Sequence, residues 1–571
     1  MTDLRALLEA RTAEPADVCD DAVLVRSDLT GSMQLYRLPL DGGELERLTA
    51  FDEPVEGRFV GGSSRVLVEK DDRGDEHTQL YLVDDGLEPL VVQSEFIHRT
   101  PSVSRDGTLL AYASNRRNGV DFDVYVRSLE TGAERRVFEG GDVRTCGFSP
   151  DARALAVSCE TDRSDDNELF LLDLASGEAV EVAAHDEPAA IGRPQWPSGG
   201  SGFFFATSVG RDTVGIARWH EGEWEYVVES QWDLDCAAEG ETLVVVANED
   251  GYSRLEVRDA RTLAVAREVE LPGRGVTTDH HVTADGAVVY RFSSASIPGD
   301  VWLDGRRLTT SSDDLDDVVE PTLHRYRSYD GEQVPVFLYE PLRPPAAVVV
   351  YVHGGPEAQF RPEFSPLVQY LVSRGCAVAA PNVRGSTGYG KRYEHLDDVR
   401  LRMDAVRDLE ALHEWLGTRD GIDASRAVLC GRSYGGFMVL AGLAFQPERW
   451  LAGIEFVGIS SFVTFLENTS AWRLRSRERE YGSLERDRDF LEELSPLTHV
   501  DRIRVPLFIQ HGANDPRVPL GESQQIHRVL SDKGIHCELV VHEDEGHQVT
   551  KLHNRIETFE RAAAFLDEVL A

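Results

Sequence analysis

Gly431-Arg432-Ser433-Tyr434-Gly435 sets a serine between two glycines, after the apolar run AVLC and before the apolar stretch FMVLAGLAF. A strand that turns abruptly into a helix exposes the side chain at the turn. Glycine on either side tolerates the close backbone approach such a turn needs. The helix also points its first amides at the turn, so an oxyanion formed there is stabilised. A serine hydroxyl is a weak nucleophile until a base takes its proton, and in this type of hydrolase the partners follow in the order serine, acid, histidine. His547 lies past the strand HCELVVH, in the loop EDEGH, where its ring can swing over the sheet edge; His542 ends that strand and reads as structural. The acid should leave the preceding strand, VPLFIQHG. Asp515 stands at that exit, whereas Asp544 shares the histidine's own loop. The expected triad is therefore Ser433, Asp515 and His547.

A fourth part is His353-Gly354-Gly355-Pro356, directly after AAVVVYV. Glycines there expose backbone N–H groups, one of which, with the N–H of Tyr434, would form an oxyanion hole; each such donor is typically worth roughly 3–4 kcal/mol in the transition state. His353 has no partner at ligand spacing and reads as structural. No metal site and no cofactor are expected.

These residues need a sheet edge to stand on, and from about residue 330 the chain alternates strands with helices. AAVVVYVHGG (346–355) is a continuous apolar run, as for a strand buried on both faces. FSPLVQYLVSRG (364–375) has helical spacing, CAVAAPNVRG is a strand, and MDAVRDLEALHEWLG (403–417) is an amphipathic helix. RAVLCG, RVPLFIQHG and HCELVVHEDEGH (537–547) are further strands, and IETFERAAAFLDEVL (556–570) closes the pattern. An α/β-hydrolase domain over 321–571 is expected.

The preceding 300 residues have another rhythm. A short strand recurs as QLYRL (from Gln34), QLYLV (Gln79), DVYVR (Asp123), ELFLL (Glu168), GIARW (Gly215), RLEVR (Arg254) and DVWLD (Asp300), at steps of 39–47 residues. In phase with it run SRDGTLLAYAS, SPDARALAVSC and TADGAVVYRFS, each closing a turn before a β-rich stretch. A period near 45 with several strands per repeat marks a β-propeller, here of seven blades, over 20–320. Residues 1–19 fit neither half; LRALLEAR within them suggests a short helix.

Composition limits the function classes. The 571 residues exceed what one hydrophobic core supports. The opening MTDLRALLEARTAEPADVCDD is acidic and lacks the basic and apolar regions of a signal peptide, so a cytoplasmic protein is expected. No apolar run approaches the roughly 18–20 residues that cross a bilayer. Seven scattered cysteines, none in a CxxC spacing, indicate neither zinc nor disulfides. Against 59 basic residues stand 100 acidic ones, a formal net charge of −41, and of the basic residues only Lys70, Lys391, Lys533 and Lys551 are lysine. The acids line every segment, which disfavours nucleic-acid binding and suits a surface kept soluble in concentrated salt. This composition is similar to that of halophilic archaeal proteins.

HGGP (353–356), NVRGSTGYG (382–390), GRSYGG (431–436), HGANDPRVP (511–519) and DEGH (544–547), in this order behind a propeller, resemble the prolyl oligopeptidase family of serine peptidases. Length and the HGGP form look most like its acylaminoacyl-peptidase branch. The resemblance implies Ser433, Asp515 and His547 as the triad, Gly355 as an oxyanion donor beside Tyr434, and Arg517 as a ligand for a substrate carbonyl. It also implies a propeller that admits only short peptides. The dipeptidyl-peptidase branch holds the substrate amine with paired glutamates, for which this sequence offers no convincing equivalent. Phe462, Phe465 and Trp472 in SSFVTFLENTSAW are candidates for the substrate pocket, with core packing as the competing role. The expected partners are short, N-acylated or free peptides; no nucleic acid and no membrane; homo-oligomerisation stays open. The competing functions are a carboxylesterase or amidase built on the same triad, and a non-catalytic propeller scaffold.

Overall fold

The computed structural model describes residues 3–84, 86–197, 202–315, 318–340 and 343–571. The chain forms two compact units. One holds Arg11–Asp72 and Glu76–Asp313, the other Met1–Ala10, Arg73–Asp75 and Asp314–Ala571.

Seven antiparallel sheets follow one another along the first unit, from Ala13–Val18, Ala22–Ser27, Gln34–Pro39 and Glu46–Arg47 to a last sheet ending at Arg306–Arg307. This is a seven-bladed β-propeller. The seven sequence signatures all fall on equivalent strands: Gln34–Pro39, Gln79–Val83, Asp123–Ser128, Asn167–Asp173, Gly215–His220, Tyr252–Asp259 and Asp300–Leu303. Six of these are the third strand of their sheet. The Gly215 strand is the second of three, because the isolated bridges Ile191↔Thr207 and Gln195↔Phe204 stand where the fifth blade's first strand would be. Pro194, which cannot donate to a ladder, lies between those bridges.

The polar residue that opens several of these strands is buried and fastens the chain that leaves its blade. Gln34 donates to Glu53 O at 2.9 Å and accepts from Phe51 N at 2.8 Å. Gln79 repeats the arrangement with Phe96 O and Gln93 N. Asp300 accepts from Thr309 Oγ1 and Ser311 N. The in-phase turns are fixed by hydroxyl–aspartate pairs, Ser104–Asp106, Ser149–Asp151 and Thr283–Asp285. Alternate residues are buried between neighbouring blades. Val23, Val25 and Tyr36 cluster with Val289 and Val301, joining the first blade to the last, and Ala13 N donates to Gly299 O at 2.9 Å.

The segment 1–19 divides in two. Leu4–Leu8 is a short helix whose Leu4 and Leu8 are buried with Ala563, inside the second unit. Ala13–Val18 is already a propeller strand, so the boundary expected at residue 20 falls one strand late. Its alternation is masked by Pro15 and a register shift between Pro15 and Asp17.

The second unit is built on one eight-stranded sheet: β1 (Thr322–Arg327), β2 (Gln333–Tyr339), β3 (Ala346–Val352), β4 (Ala377–Pro381), β5 (Ile422–Arg432), β6 (Ala452–Phe456), β7 (Leu507–Gly512) and β8 (Cys537–His542). The order is β1-β2-β4-β3-β5-β6-β7-β8, antiparallel as far as β4 and parallel from there on. Three helices matter for the site: α1 (Tyr434–Phe445), α2 (Gly521–Asp532) and α3 (Leu552–Leu570). α1 is buried all round, and the core continues through Val348, Val350, Leu429, Phe437, Leu440, Ile509 and Ile526.

Candidate active site

Ser433 sits between the end of β5 and the start of α1, with φ +57° and ψ −119°. A non-glycine residue in that region is strained, and here the surroundings enforce it. Ser433 N donates to Phe456 O at 2.8 Å. A Cβ on Gly435 would lie 2.2 Å from Val352 O, and one on Gly436 would lie 2.6 Å from the Cα of Gly458. The glycines of GRSYGG therefore let α1 start directly against the ends of β3 and β6.

His547 and Asp515 come to Ser433 from the loops after β8 and β7. His547 Nε2 lies 3.1 Å from Ser433 Oγ, and His547 Nδ1 lies 2.7 Å from Asp515 Oδ2. Asp515 Oδ1 accepts the backbone N–H groups of Arg517 at 2.8 Å and Val518 at 3.0 Å. Burial alone would raise the Asp515 carboxyl, but His547 beside it, their hydrogen bond and His511 outweigh burial and hold it below the usual range. Burial depresses His547 further than Asp515 restores it, so the ring is neutral and able to accept a proton at neutral pH.

The other expected residues are placed as follows. Tyr434 is the first residue of α1, so its amide has no intrahelical acceptor. Gly355 has φ +131°, and the neighbouring Gly354 backs onto the elbow, where a Cβ would lie 3.0 Å from Arg432 O and 3.4 Å from the Cβ of Ser433. His353 is occupied by Gly354 O and Ser386 Oγ, His542 by Thr558 Oγ1, and Asp544 by Lys551 and Asn554. Arg517 is close enough for its charge to depress His547. Phe462 and Phe465 have no exposed surface. They pack against Phe437 and Tyr481 in the core, so neither offers a face to a ligand in this structure. Trp472 is partly exposed and lies under the Arg473 guanidinium at 4.1 Å.

Several supporting residues were not singled out from sequence. Arg432, inside the G-x-S-x-G motif itself, donates to His547 O at 2.8 Å and so ties the histidine loop to the elbow. Arg384 of NVRG is buried and forks onto Asp408 and Asp330, fixing the loop after β4. Under α1, Arg402 is buried between Asp397 and Glu480, and the Tyr434 hydroxyl donates to Asp397 Oδ2 at 3.0 Å. His511, the last residue but one of β7, lies 3.6 Å from Asp515 Oδ2. Position in a motif was the available signal for Arg432, Arg384 and His511; Arg402, Asp397 and Glu480 are brought together by tertiary folding. Among the described residues no helix is long and apolar enough to cross a membrane.

A propeller followed by an α/β-hydrolase sheet with serine, histidine and aspartate in line defines a class, and residues 362–571 match the prolyl oligopeptidase family. Among similar proteins, the dipeptidyl peptidase family member 6 of Caenorhabditis elegans is 34% identical over 232 residues, 40% of this chain and 31% of that protein. The chain thus aligns with less than a third of that relative. Dipeptidyl aminopeptidase BIII of Pseudoxanthomonas mexicana is 27% identical over 528 residues, 86% of this chain and 76% of its own. Acylamino-acid-releasing enzymes also match, over less than half of this chain. A puromycin-hydrolysing peptidase of Mycobacterium tuberculosis shares the fold with a TM-score of 0.85 at 21% identity, covering 100% of this chain and 96% of that one.

Proposed function

We propose that this protein is a serine peptidase that hydrolyses short peptides, N-acylated ones included, through an acyl-enzyme. Ser433 is the nucleophile and His547 takes its proton. Asp515 holds the ring in the tautomer that presents Nε2, and stabilises the imidazolium that forms. The tetrahedral oxyanion is received by the N–H groups of Tyr434 and Gly355. His547 then returns the proton to the leaving amine, and water repeats the sequence on the acyl-enzyme. Arg517 completes the reading as a ligand for a substrate carbonyl, and the propeller as the element that limits substrates to short peptides.

The observation that carries this reading is the continuous line Asp515–His547–Ser433, at 2.7 and 3.1 Å, ending on a strained turn at a helix N-terminus. A fluorophosphonate that labels wild type and not Ser433→Ala separates an enzyme from a scaffold. Peptide anilides, acylated and free, then separate peptidase from esterase. No cleavage of any anilide by a labelled enzyme would move the assignment to esters. The same panel, with free dipeptidyl anilides, decides between release of acylated residues and the dipeptidyl activity for which relatives are named. The −41 charge further supports function in concentrated salt.

A further inference from the structure

We propose that Gly74, remote in sequence from every catalytic motif, is a positioning residue that holds the loops of His547 and Asp515 in register. This rests on the triad reading above.

Gly74 lies in the connection between Val66–Lys70 and Gln79–Val83, two strands of one propeller sheet, yet Arg73–Asp75 belongs to the second unit. What it meets there is the backbone just ahead of the catalytic histidine. A Cβ on Gly546 would lie 2.0 Å from Gly74 O, and a Cβ on Gly74 would lie 2.6 Å from Gly546 N and 2.8 Å from its Cα. Gly74 has φ +78°, in the left-handed region that glycine enters without penalty. Gly546 is also met by Gly512, the last residue of β7, whose own Cβ would lie 2.1 Å from Gly546 O. Three chain segments thus pack glycine on glycine, and none of the three positions has room for a methyl group. Contacts this close transmit a displacement rather than absorb it.

The same three segments are joined by Asn514, the residue before Asp515. Its backbone N–H donates to Glu545 O at 3.0 Å. Its side-chain amide donates to Glu543 O at 3.0 Å and to Arg73 O at 3.3 Å. A primary amide has two N–H groups, so both are spent on this junction. Arg73 and Gly74 therefore bear on the residue ahead of the acid and on the residue ahead of the base.

The His547 ring must keep 2.7 Å to Asp515 and 3.1 Å to Ser433, which stand on two other chain segments. Any movement of the Gly546–His547 peptide carries the ring with it and spoils both distances. Gly512 bears on the carbonyl of Gly546 and Gly74 on its α-carbon, so that peptide is gripped from two sides. A misplacement of about 1 Å at a reacting group can cost on the order of 10²-fold in rate.

The test compares variants of the full chain by the rate of fluorophosphonate labelling of Ser433, and by kcat and KM on a peptide anilide. Labelling of wild type is established first, so its absence counts against the triad reading alone. Gly74→Ala should lower labelling and kcat about tenfold with little change in KM. Gly119→Ala is the matched control. Gly119 has the same φ, +78°, with nothing within 4 Å of its Cβ position, so the variant carries the backbone strain without the contact. It should lower the melting temperature and keep the wild-type kcat. Asn514→Ala removes the side-chain half of the junction and should lower kcat in the same way. It reads the same junction if Gly74→Ala does not fold. Labelling and kcat of Gly74→Ala within about twofold of Gly119→Ala, a loss carried by KM instead, or Asn514→Ala at full kcat would overturn the proposal.

Discussion

The Tyr434 hydroxyl donates to Asp397 Oδ2 at 3.0 Å, so the residue whose amide faces the proposed oxyanion is anchored from beneath by a buried carboxylate. That carboxylate shares Arg402 with Glu480, and the Arg402 guanidinium also lies 5.1 Å from the ring centres of Tyr434 and Tyr481.

Removing the cation would strand two buried carboxylates. Arg402→Met should cost about 3–5 kcal/mol, read by urea unfolding of the hydrolase unit. Tyr434→Phe leaves the backbone amide in place and should retain most of its turnover while losing about 1–3 kcal/mol, because Asp397 gives up a donor. Equal losses of turnover in the two variants at full folding would mean that the hydroxyl, not the amide, does the chemistry.

Ser433→Ala should lower kcat by on the order of 10⁶-fold without unfolding the protein, and His547→Ala should match it. His542→Ala should keep turnover, since that ring is occupied by Thr558 Oγ1 at 2.7 Å. Steady-state rates on one anilide compare all three. The opposite ranking of the two histidines would place the base on β8.

Burial holds His547 below the ordinary histidine value of about 6.5 even against Asp515. The neutral, proton-accepting form thus persists to lower pH than for a free imidazole. The acidic limb of kcat/KM should have its midpoint below that value. A midpoint above neutrality would show that the Asp515 charge dominates instead.

How much of this was legible depended on whether the signal was local. The elbow, the order serine–aspartate–histidine and the seven recurrent strands each carry their meaning in a few consecutive residues, and GRSYGG even encodes how tightly α1 must approach β3 and β6. β6 was not recognised, because AGIEF is five residues long and puts a charge among apolar neighbours. That acid, Glu455, is buried, and its Oε2 accepts the N–H of Gly458 at 2.7 Å. His511 lies inside the strand run VPLFIQHG. Its relation to Asp515 is made by a turn, and no spacing reveals it. Phe462 and Phe465 occur in a segment that reads equally as pocket or core, and burial decides for core.

Self-repulsion among 41 net negative charges should weaken the fold in dilute salt, where the screening length is about 30 Å at 0.01 M, and vanish largely at 1 M, where it is about 3 Å. Melting temperature and activity should rise together between about 0.1 and about 2 M KCl. A flat or falling melting temperature would refute adaptation to salt.

The helix Leu4–Leu8 packs on Tyr370 and on Ile556, Phe559 and Ala563, the last of which is reached only with α3. During synthesis at about 5–20 residues per second, it would leave the ribosome roughly 30–110 s before that partner exists. The propeller strands that follow can meanwhile pair with their own neighbours. Docking of the leading helix is thus a natural last event of maturation, and its exposed leucines would mark chains that have not yet completed the second unit.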